Sequence, residues 1–466
     1  MVLRYNLWLL LVLILAFLKL RYHEMWKDEW QAWFVAKDMG PGEMLSFLYY
    51  EGHPALWYLF LKPFTLLPLK QATVLSVAHL LTIGGALYFL LVKFRTPWWL
   101  CLMFSLTYFV FFEYGLVNRG YALVMMLAFI ITVYIRDGEQ MGRTAAVFLF
   151  LLCQTEVFGV LMAMAFTFYL FIHITDRKAF LFSSWTWGLA AGLLVFVASV
   201  FPRSTGHIGR TGGTVLPAGD QLFSSLQGNL SNAFLPGSTP DTFRYGWTFT
   251  GLVLSLAVLA GLWYYFRSDR KLMLTMAAML VMMTGFSFFI FLGGIRQWGM
   301  GFIFLICLTE LLTSRTSVRW PSFAVPVLFS VFGVIHGFRA VSEDIRIPFS
   351  NAQETGHFIR DKVPVKVPVV ALNKFETTPV IGYAGRKFYE LPDGREFSYF
   401  RWVDKVYVPT EEELRLFGRY KGVGGIVLIS PKPIDTLRYP SARLWKPFAE
   451  PSYKNESYYL YSLPVK

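Results

Sequence analysis

Leu7-Trp-Leu-Leu-Leu-Val-Leu-Ile-Leu-Ala-Phe-Leu18 is followed by Lys19-Leu-Arg-Tyr-His-Glu-Met-Trp26 and then, after Lys27, by the paired acids Asp28 and Glu29, with Trp30 behind them. The apolar run, with the single early charge Arg4 and flanks reaching about residues 1–20, is long enough to cross a bilayer as a helix. No small-x-small cleavage site follows it, so it reads as an uncleaved span with its N-terminus in the cytoplasm. The acids then fall just outside the membrane, between tryptophans that favour its interface.

The rest of the chain extends this pattern. Of 466 residues, 55% are hydrophobic, 18% aromatic and only 16% charged, with a mean hydropathy of +0.47. Soluble domains carry about 25% charged residues, so a single soluble globule and a disordered chain are both excluded. Further apolar runs fall at about 71–92, 97–113, 120–135, 144–153, 157–174, 181–201, 246–266, 272–292, 300–312 and 321–338. With the first, they predict an α-helical polytopic membrane protein of about eleven transmembrane helices. Alternate placement puts Lys93/Arg95, Arg136/Arg143, Arg177/Lys178, Arg267/Arg270/Lys271 and Arg315/Arg319 on the side of the N-terminus, as the positive-inside rule requires. That parity favours a short hairpin turning at Gln154-Thr-Glu156 over one tilted helix across 144–174. It also assigns His53-Pro54 to Leu69, interrupted by Lys62, Pro63 and Pro68, to the outer interface.

The formal charge of +13 sits largely in these loops, so nucleic acid is not an expected partner. Cys101, Cys153 and Cys307 all lie in apolar runs, which argues against disulfides or a thiolate metal site. Four polar segments remain outside: 21–70, the turn at 113–120, the loop 202–244 and the tail. The loop is rich in Gly, Ser, Thr and Pro and reads as mobile or substrate-ordered, with His207, Arg203 and Arg210 more readily solvated than in contact with a donor head group. Residues 1–338 are thus expected to form the membrane domain and 339–466 an extracytoplasmic α/β domain, which carries 20 Lys and Arg against 15 Asp and Glu. Ser350-Asn-Ala-Gln353 and Thr410-Glu-Glu-Glu413 match capping boxes, and 367–373, 425–430 and 458–463 read as buried strands.

Three outer segments carry residues suited to chemistry. A carboxylate at Asp28 could take a proton from an acceptor hydroxyl beside a membrane-borne substrate, although paired acids are also common in solvated loops. Glu51 and His53 alternate before Pro54 and could bind a divalent ion, orient an acceptor or hydrogen-bond a phosphate; two ligands alone are a weak metal signature. Arg119 opens a helix in Glu113-Tyr-Gly-Leu-Val-Asn-Arg119-Gly-Tyr121, where a permanent cation and free N–H groups suit a phosphate, or where a long side chain snorkels. Arg296 and Glu156 are outward charges at membrane depth, functional candidates for that reason. No glycine-rich nucleotide fingerprint occurs.

The early Asp-Glu pair, the Glu-x-His-Pro-x-Leu-x-Tyr segment and the Arg-x-Tyr-Ala-Leu helix start, in this order, resemble the GT-C superfamily of polyprenyl-phosphate-dependent glycosyltransferases. The likeness is to its protein O-mannosyltransferase and aminoarabinose (lipid A) transferase branch. It implies a sugar carried on a polyprenyl phosphate and transferred to a glycan, lipid or protein acceptor on the external face of an inner (plasma) membrane. By motif position, Asp28 would be the general base with Glu29 beside it, and Glu51 and His53 would orient the acceptor or a metal. Arg119, Tyr121 and Arg296 would meet the donor phosphate. Ala55 stands where the family often has a second proline, and Val117-Asn118 where an acid and alanine usually precede the arginine. A lipid-linked glycan ligase or polymerase, a glycolipid flippase, and a scaffold whose tail does the work are the competing expectations.

Overall fold

The computed structural model describes residues 1–200, 219–238, 249–290, 293–315, 323–401, 404–452 and 455–465, without the side chains of 50 and 219–225. Every apolar run of the sequence has a helical counterpart. Seven described helices are long and apolar enough to cross a membrane: Val2–Arg21, Gln71–Lys93, Arg177–Val200, Phe249–Phe266, Arg270–Phe289, Ile295–Arg315 and Ala324–Arg346. Tyr121–Arg136, Arg143–Cys153 and Val157–His173 are shorter apolar helices. The run 97–113 is split into Trp98–Ser105 and a π-helical turn Tyr108–Glu113. The chain does break at 154–156, as the hairpin reading required, and the apolar stretch after Pro54 makes only Leu56–Leu61 and a 3₁₀ turn at Lys62–Leu66, opened by Pro63.

Two compact units result, and neither follows a single cut at 338. The first gathers Met1–Phe17, Leu48–Trp57 and Ala78–Val341; the second gathers Leu18–Phe47, Tyr58–Val77 and Ser342–Lys466.

In the first unit Ile295–Arg315 is buried along its whole middle, Gln297 to Leu312, as a helix apolar on all sides should be. Its one buried acid, Glu310, is matched by Arg136 Nη1, the N–H groups of Arg95 and Thr96 and the Thr96 hydroxyl, all at 2.8 Å. Helices Arg143–Cys153 and Ser184–Val200 close on Gly188 and Gly192, four residues apart. A Cβ on Gly188 would come within 2.6 Å of the Ala146 carbonyl, and one on Gly192 within 2.9 Å of Cys153. Small residues at this spacing let helix backbones approach where no hydrophobic effect drives them together. Within the segment expected as a mobile or substrate-ordered loop, the described residues Gly219–Phe234 form a helix. Ala233, Phe234 and Leu235 are buried, and Ser255 donates to the Gln227 carbonyl at 2.6 Å. Its helical apolar period is masked in the sequence by Ser, Asn and Gln. Arg203, His207 and Arg210 lie outside the described residues.

The second unit holds a six-stranded mixed sheet. Its strands are β1 (Val369–Ala371), β2 (Phe388–Glu390), β3 (Arg395–Phe397), β4 (Gly425–Ser430), β5 (Arg443–Phe448) and β6 (Tyr458–Pro464), in spatial order β3-β2-β1-β4-β6-β5. β1 runs parallel to β2 and β4, with Val370 opposite Leu428; the other pairs are antiparallel. Val370, Leu414, Leu428 and Leu463 form its core. Thr410 and Glu413 make the expected capping box of helix Glu411–Tyr420. The helix Ala352–Lys362 starts one residue later than expected, at Asn351, while the Ser350 hydroxyl accepts from the Ala352 N–H at 3.1 Å.

Candidate functional site

In the first unit, helix Pro41–Glu51 ends at Gly52, whose φ of +73° is the left-handed conformation that closes a helix, with its N–H returned to the Leu48 carbonyl at 3.1 Å. Pro54 then disfavours helix at the residue before it, so the chain leaves with His53 beside Glu51 rather than a turn beyond it. The Leu56 N–H donates to the Gln154 carbonyl at 3.2 Å, which brings the 154–156 hairpin against this segment. His53 Nδ1 and Glu156 Oε2 pair there at 2.8 Å. Gly120 fills the remaining corner: a Cβ on it would sit 3.3 Å from that of Trp57 and 3.6 Å from Glu156 Oε1.

Arg119 and Tyr121 flank Gly120, with the guanidinium carbon 5.4 Å from the Tyr121 ring centre. The Tyr114 hydroxyl donates to the Arg296 carbonyl at 2.5 Å, and the Tyr108 hydroxyl to Glu113 at 2.7 Å. Glu51, Arg119 and Glu156 all act on the charge of His53, and Glu156, Arg119, Arg296 and Glu113 on that of Tyr121. Five of the expected residues, Glu51, His53, Arg119, Tyr121 and Arg296, therefore share one neighbourhood of a mainly apolar helix bundle. Burial disfavours a charged His53 ring, but the charge and hydrogen bond of Glu156, aided by Glu51, raise its pKa above the ordinary value against the opposing Arg119.

Asp28 and Glu29 fall in the second unit, in the first turn of helix Lys27–Asp38. Glu29 is fully buried. One oxygen accepts from the Trp26 N–H at 3.1 Å at the start of the helix, and the other meets His23 Nε2 at 3.3 Å. His23 Nδ1 in turn meets Asp344 at 3.1 Å. Asp28 is half-buried one residue before this anchor, and its charge acts on Glu456. Lys27 pairs with Glu376 at 3.0 Å.

Among the described residues, no three His, Cys, Asp or Glu side chains converge as a metal site. His53, weighed as a ligand with Glu51, has Glu156 as its ion-pair partner.

Glu113, His23, Asp344 and Glu456 did not stand out in the sequence. Glu113 opens the Arg119 segment but was given no role there; the other three depend on contacts over long chain separations.

No protein-family model and no curated protein sequence matches the chain. Two solved structures of ArnT from Cupriavidus metallidurans do, one apo and one bound to undecaprenyl phosphate. Each is 12% identical and aligns over 98% of this chain and 97% of that one, with TM-scores of 0.54 and 0.53. At that identity the likeness is one of fold, and it is nearly complete: this chain has the fold of these two structures over almost its whole length.

Proposed function

We propose that this protein is an integral-membrane glycosyltransferase that moves a sugar from a polyprenyl-phosphate donor to an acceptor hydroxyl on the external face of the inner membrane. The observation that carries the reading is the cluster of Arg119, Arg296 and His53 in the first unit, in a chain with the fold of a protein solved with undecaprenyl phosphate. Two arginines and a histidine supported by Glu156 are the groups a lipid phosphate calls for. Asp28 takes the proton of the acceptor hydroxyl. The acceptor oxygen bonds to the anomeric carbon, the bond from that carbon to the phosphate oxygen breaks, and its electron pair stays on the phosphate. Arg119, Arg296 and His53 stabilise the charge that builds up there, which is where electrostatic preorganisation counts most. The activated donor supplies the driving force.

Transfer of labelled sugar by the purified wild type, Asp28→Asn and Arg119→Ala, measured alongside donor binding, tests this. Asp28→Asn is expected to bind donor and not transfer. Arg119→Ala is expected to lose about 2 kcal/mol of donor affinity, roughly thirtyfold, the worth of hydrogen bonds to a charged group. Two variants that transfer like wild type would sink the assignment, and a wild type that binds donor without transferring would point to a flippase.

A further inference from the structure

An open cavity of about 340 Å³ lies in the first unit, at the helix ends that the loop charges assign to the cytoplasm. Its first wall is the π-helical turn Phe89–Lys93. Such a turn breaks the regular carbonyl ladder, and arginines take up the carbonyls here: Arg136 Nη1 donates to that of Lys93 at 2.6 Å and Arg4 Nη1 to that of Leu91 at 3.2 Å. The second wall is the end of helix Tyr121–Arg136, through Ile130 and Val133, and the third is Phe148 of helix Arg143–Cys153. Gly138, with φ +78°, turns the chain after the second wall. The Glu139 N–H returns to the Tyr134 carbonyl at 2.9 Å, which brings Glu139 to the rim.

Most of the charge around this cavity is already spent. Arg136 gives Nε and Nη2 to Asp137 at 2.8 and 2.7 Å and Nη1 to the buried Glu310 at 2.8 Å, and Asp137 also accepts from Arg95 at 2.9 Å. Two arginines thus answer two carboxylates, and Arg143 stands outside the lining. Lys93 and Glu139 are left over. Both are exposed, and among the described residues neither joins an ion pair, the Lys93 ammonium lying 5.5 Å from the centre of the Tyr88 ring. An exposed lysine at a membrane edge ordinarily only snorkels. This one shares an apolar-walled cavity with an uncommitted acid.

We propose that the cavity binds the head group of a phospholipid bearing a primary ammonium, a phosphoethanolamine lipid of the inner leaflet. Lys93 meets its phosphate, Glu139 its ammonium, and Phe89, Ile130, Val133 and Phe148 the glycerol and the start of the acyl chains. The volume is in the range of small-molecule sites, about 300–1,000 Å³. A head group with one charge of each sign matches a rim whose spare charges are one of each sign. An anionic phosphoglycerol head would leave Glu139 without a cation. A methylated ammonium has no N–H to give a carboxylate, and Tyr134 and Phe148 pack on each other, 5.7 Å between ring centres, instead of standing apart as a cage for it. The site does not depend on the reading of the outer cluster as the donor site.

The test uses full-length protein stripped of lipid in detergent and mixed with phosphatidylethanolamine, phosphatidylglycerol or phosphatidylcholine, with bound lipid counted by native mass spectrometry. Wild type is expected to retain one phosphatidylethanolamine where the other two are lost. Lys93→Gln should weaken that binding about fivefold, the scale of a partly exposed charge contact. Glu139→Gln should abolish the preference over phosphatidylglycerol, and Glu139→Lys should reverse it. Both side chains are exposed, so an unchanged unfolding midpoint is expected and shows that each variant is folded. Lys178→Gln, an exposed basic residue outside the cavity, should bind like wild type. If it weakens binding as much as Lys93→Gln, the lipid sits on a general basic surface and the proposal falls. It falls equally if wild type retains phosphatidylglycerol or phosphatidylcholine as well as phosphatidylethanolamine, or if Glu139→Gln keeps the wild-type preference. Soluble phosphoethanolamine in excess is expected to leave the lipid in place; displacement would mean that the cavity takes a free phosphate compound and not a lipid.

Discussion

His23→Ala removes the cation on which the Asp28 turn depends. The His23, Glu29 and Asp344 side chains are 1%, 0% and 2% exposed, and Lys19, itself buried, is the other positive charge acting on the ring's two carboxylate partners. Without the imidazole, two buried carboxylates share one ammonium. Breaking a buried ion pair from one side costs about 3–5 kcal/mol. The lost edge contact with Phe349, at 4.9 Å between ring centres, adds to this, so about 4 kcal/mol is expected. The pH dependence carries a definite sign. Burial disfavours the charged ring, but Asp344 and Glu29 outweigh it and raise its pKa from 6.5 to about 10. A folded value above the unfolded one stabilises fully below about pH 6.5 and fades as pH rises through 10. Denaturant unfolding of wild type and variant in detergent micelles, from pH 6 to 10, should thus show a difference that is flat at first and then narrows. Hydrogen exchange at the Glu29 and Trp30 amides, whose first-turn bonds return to the Trp26 carbonyl, localises it to this turn. A loss under about 1 kcal/mol, or a gap that does not change with pH, would refute the account.

Two further changes test the fold that carries this turn. Gly382→Ala drives a methyl into the Trp30 indole at 2.3 Å and is expected to destabilise the protein by about 1–3 kcal/mol, read as a lowered unfolding midpoint, even though alanine favours helix. Thr410→Ala removes a hydroxyl that accepts from the Glu413 N–H at 3.3 Å. It should cost about 1 kcal/mol and speed hydrogen exchange over 411–420 while leaving donor binding unchanged.

What was legible in the sequence was whatever depends on neighbours in the chain. Spans declared themselves by apolar length, and Thr410 and Glu413 by a three-residue spacing that the helix itself imposes. Gln154-Thr-Glu156 could be recognised as a turn because charge parity demanded one. The helix Gly219–Phe234 was hidden because Asn229 and Ser231 are polar yet buried, with Asn229 donating to the Gly293 carbonyl at 3.2 Å and Ser231 to that of Gly228 at 3.1 Å. β5 was hidden for a related reason: Arg443 to Lys446 are largely exposed, and Pro447 can be tolerated because the strand lies at the sheet edge. Motif spacing drew attention to Glu51, His53 and Arg119, but the partner that joins them, Glu156, lies 103 residues from His53. Glu29 looked like a second catalytic acid because it adjoins Asp28. Its side chain is spent on the Trp26 N–H and His23, which suits an anchor for the turn.

The charge balance of the first-unit cluster leads to a last prediction. The charges acting on His53 and Tyr121 are those of Glu51, Glu113, Glu156, Arg119 and Arg296, so with the imidazole charged the set sums to zero. Glu51 and Glu113 are only 6% and 9% exposed, which leaves little water to absorb an added charge. A lipid phosphate brings at least one negative charge, and an uncompensated charge in such a place costs several kcal/mol. Taking up a proton costs less when a carboxylate stands within reach of the phosphate. Undecaprenyl phosphate binding should therefore be accompanied by net proton uptake, and by linkage its affinity should rise as pH falls. Titration calorimetry in two buffers of different ionisation enthalpy measures the uptake directly. Glu113→Gln supplies the control, since it removes one negative charge without acting on His53 and leaves an oxygen for the Tyr108 hydroxyl, 2.7 Å away in the wild type. Its uptake should be smaller and its affinity less dependent on pH. Binding that releases protons, or that takes up none in the wild type, would mean that the phosphate does not enter this cluster and that Arg119 and Arg296 serve the bundle rather than the donor.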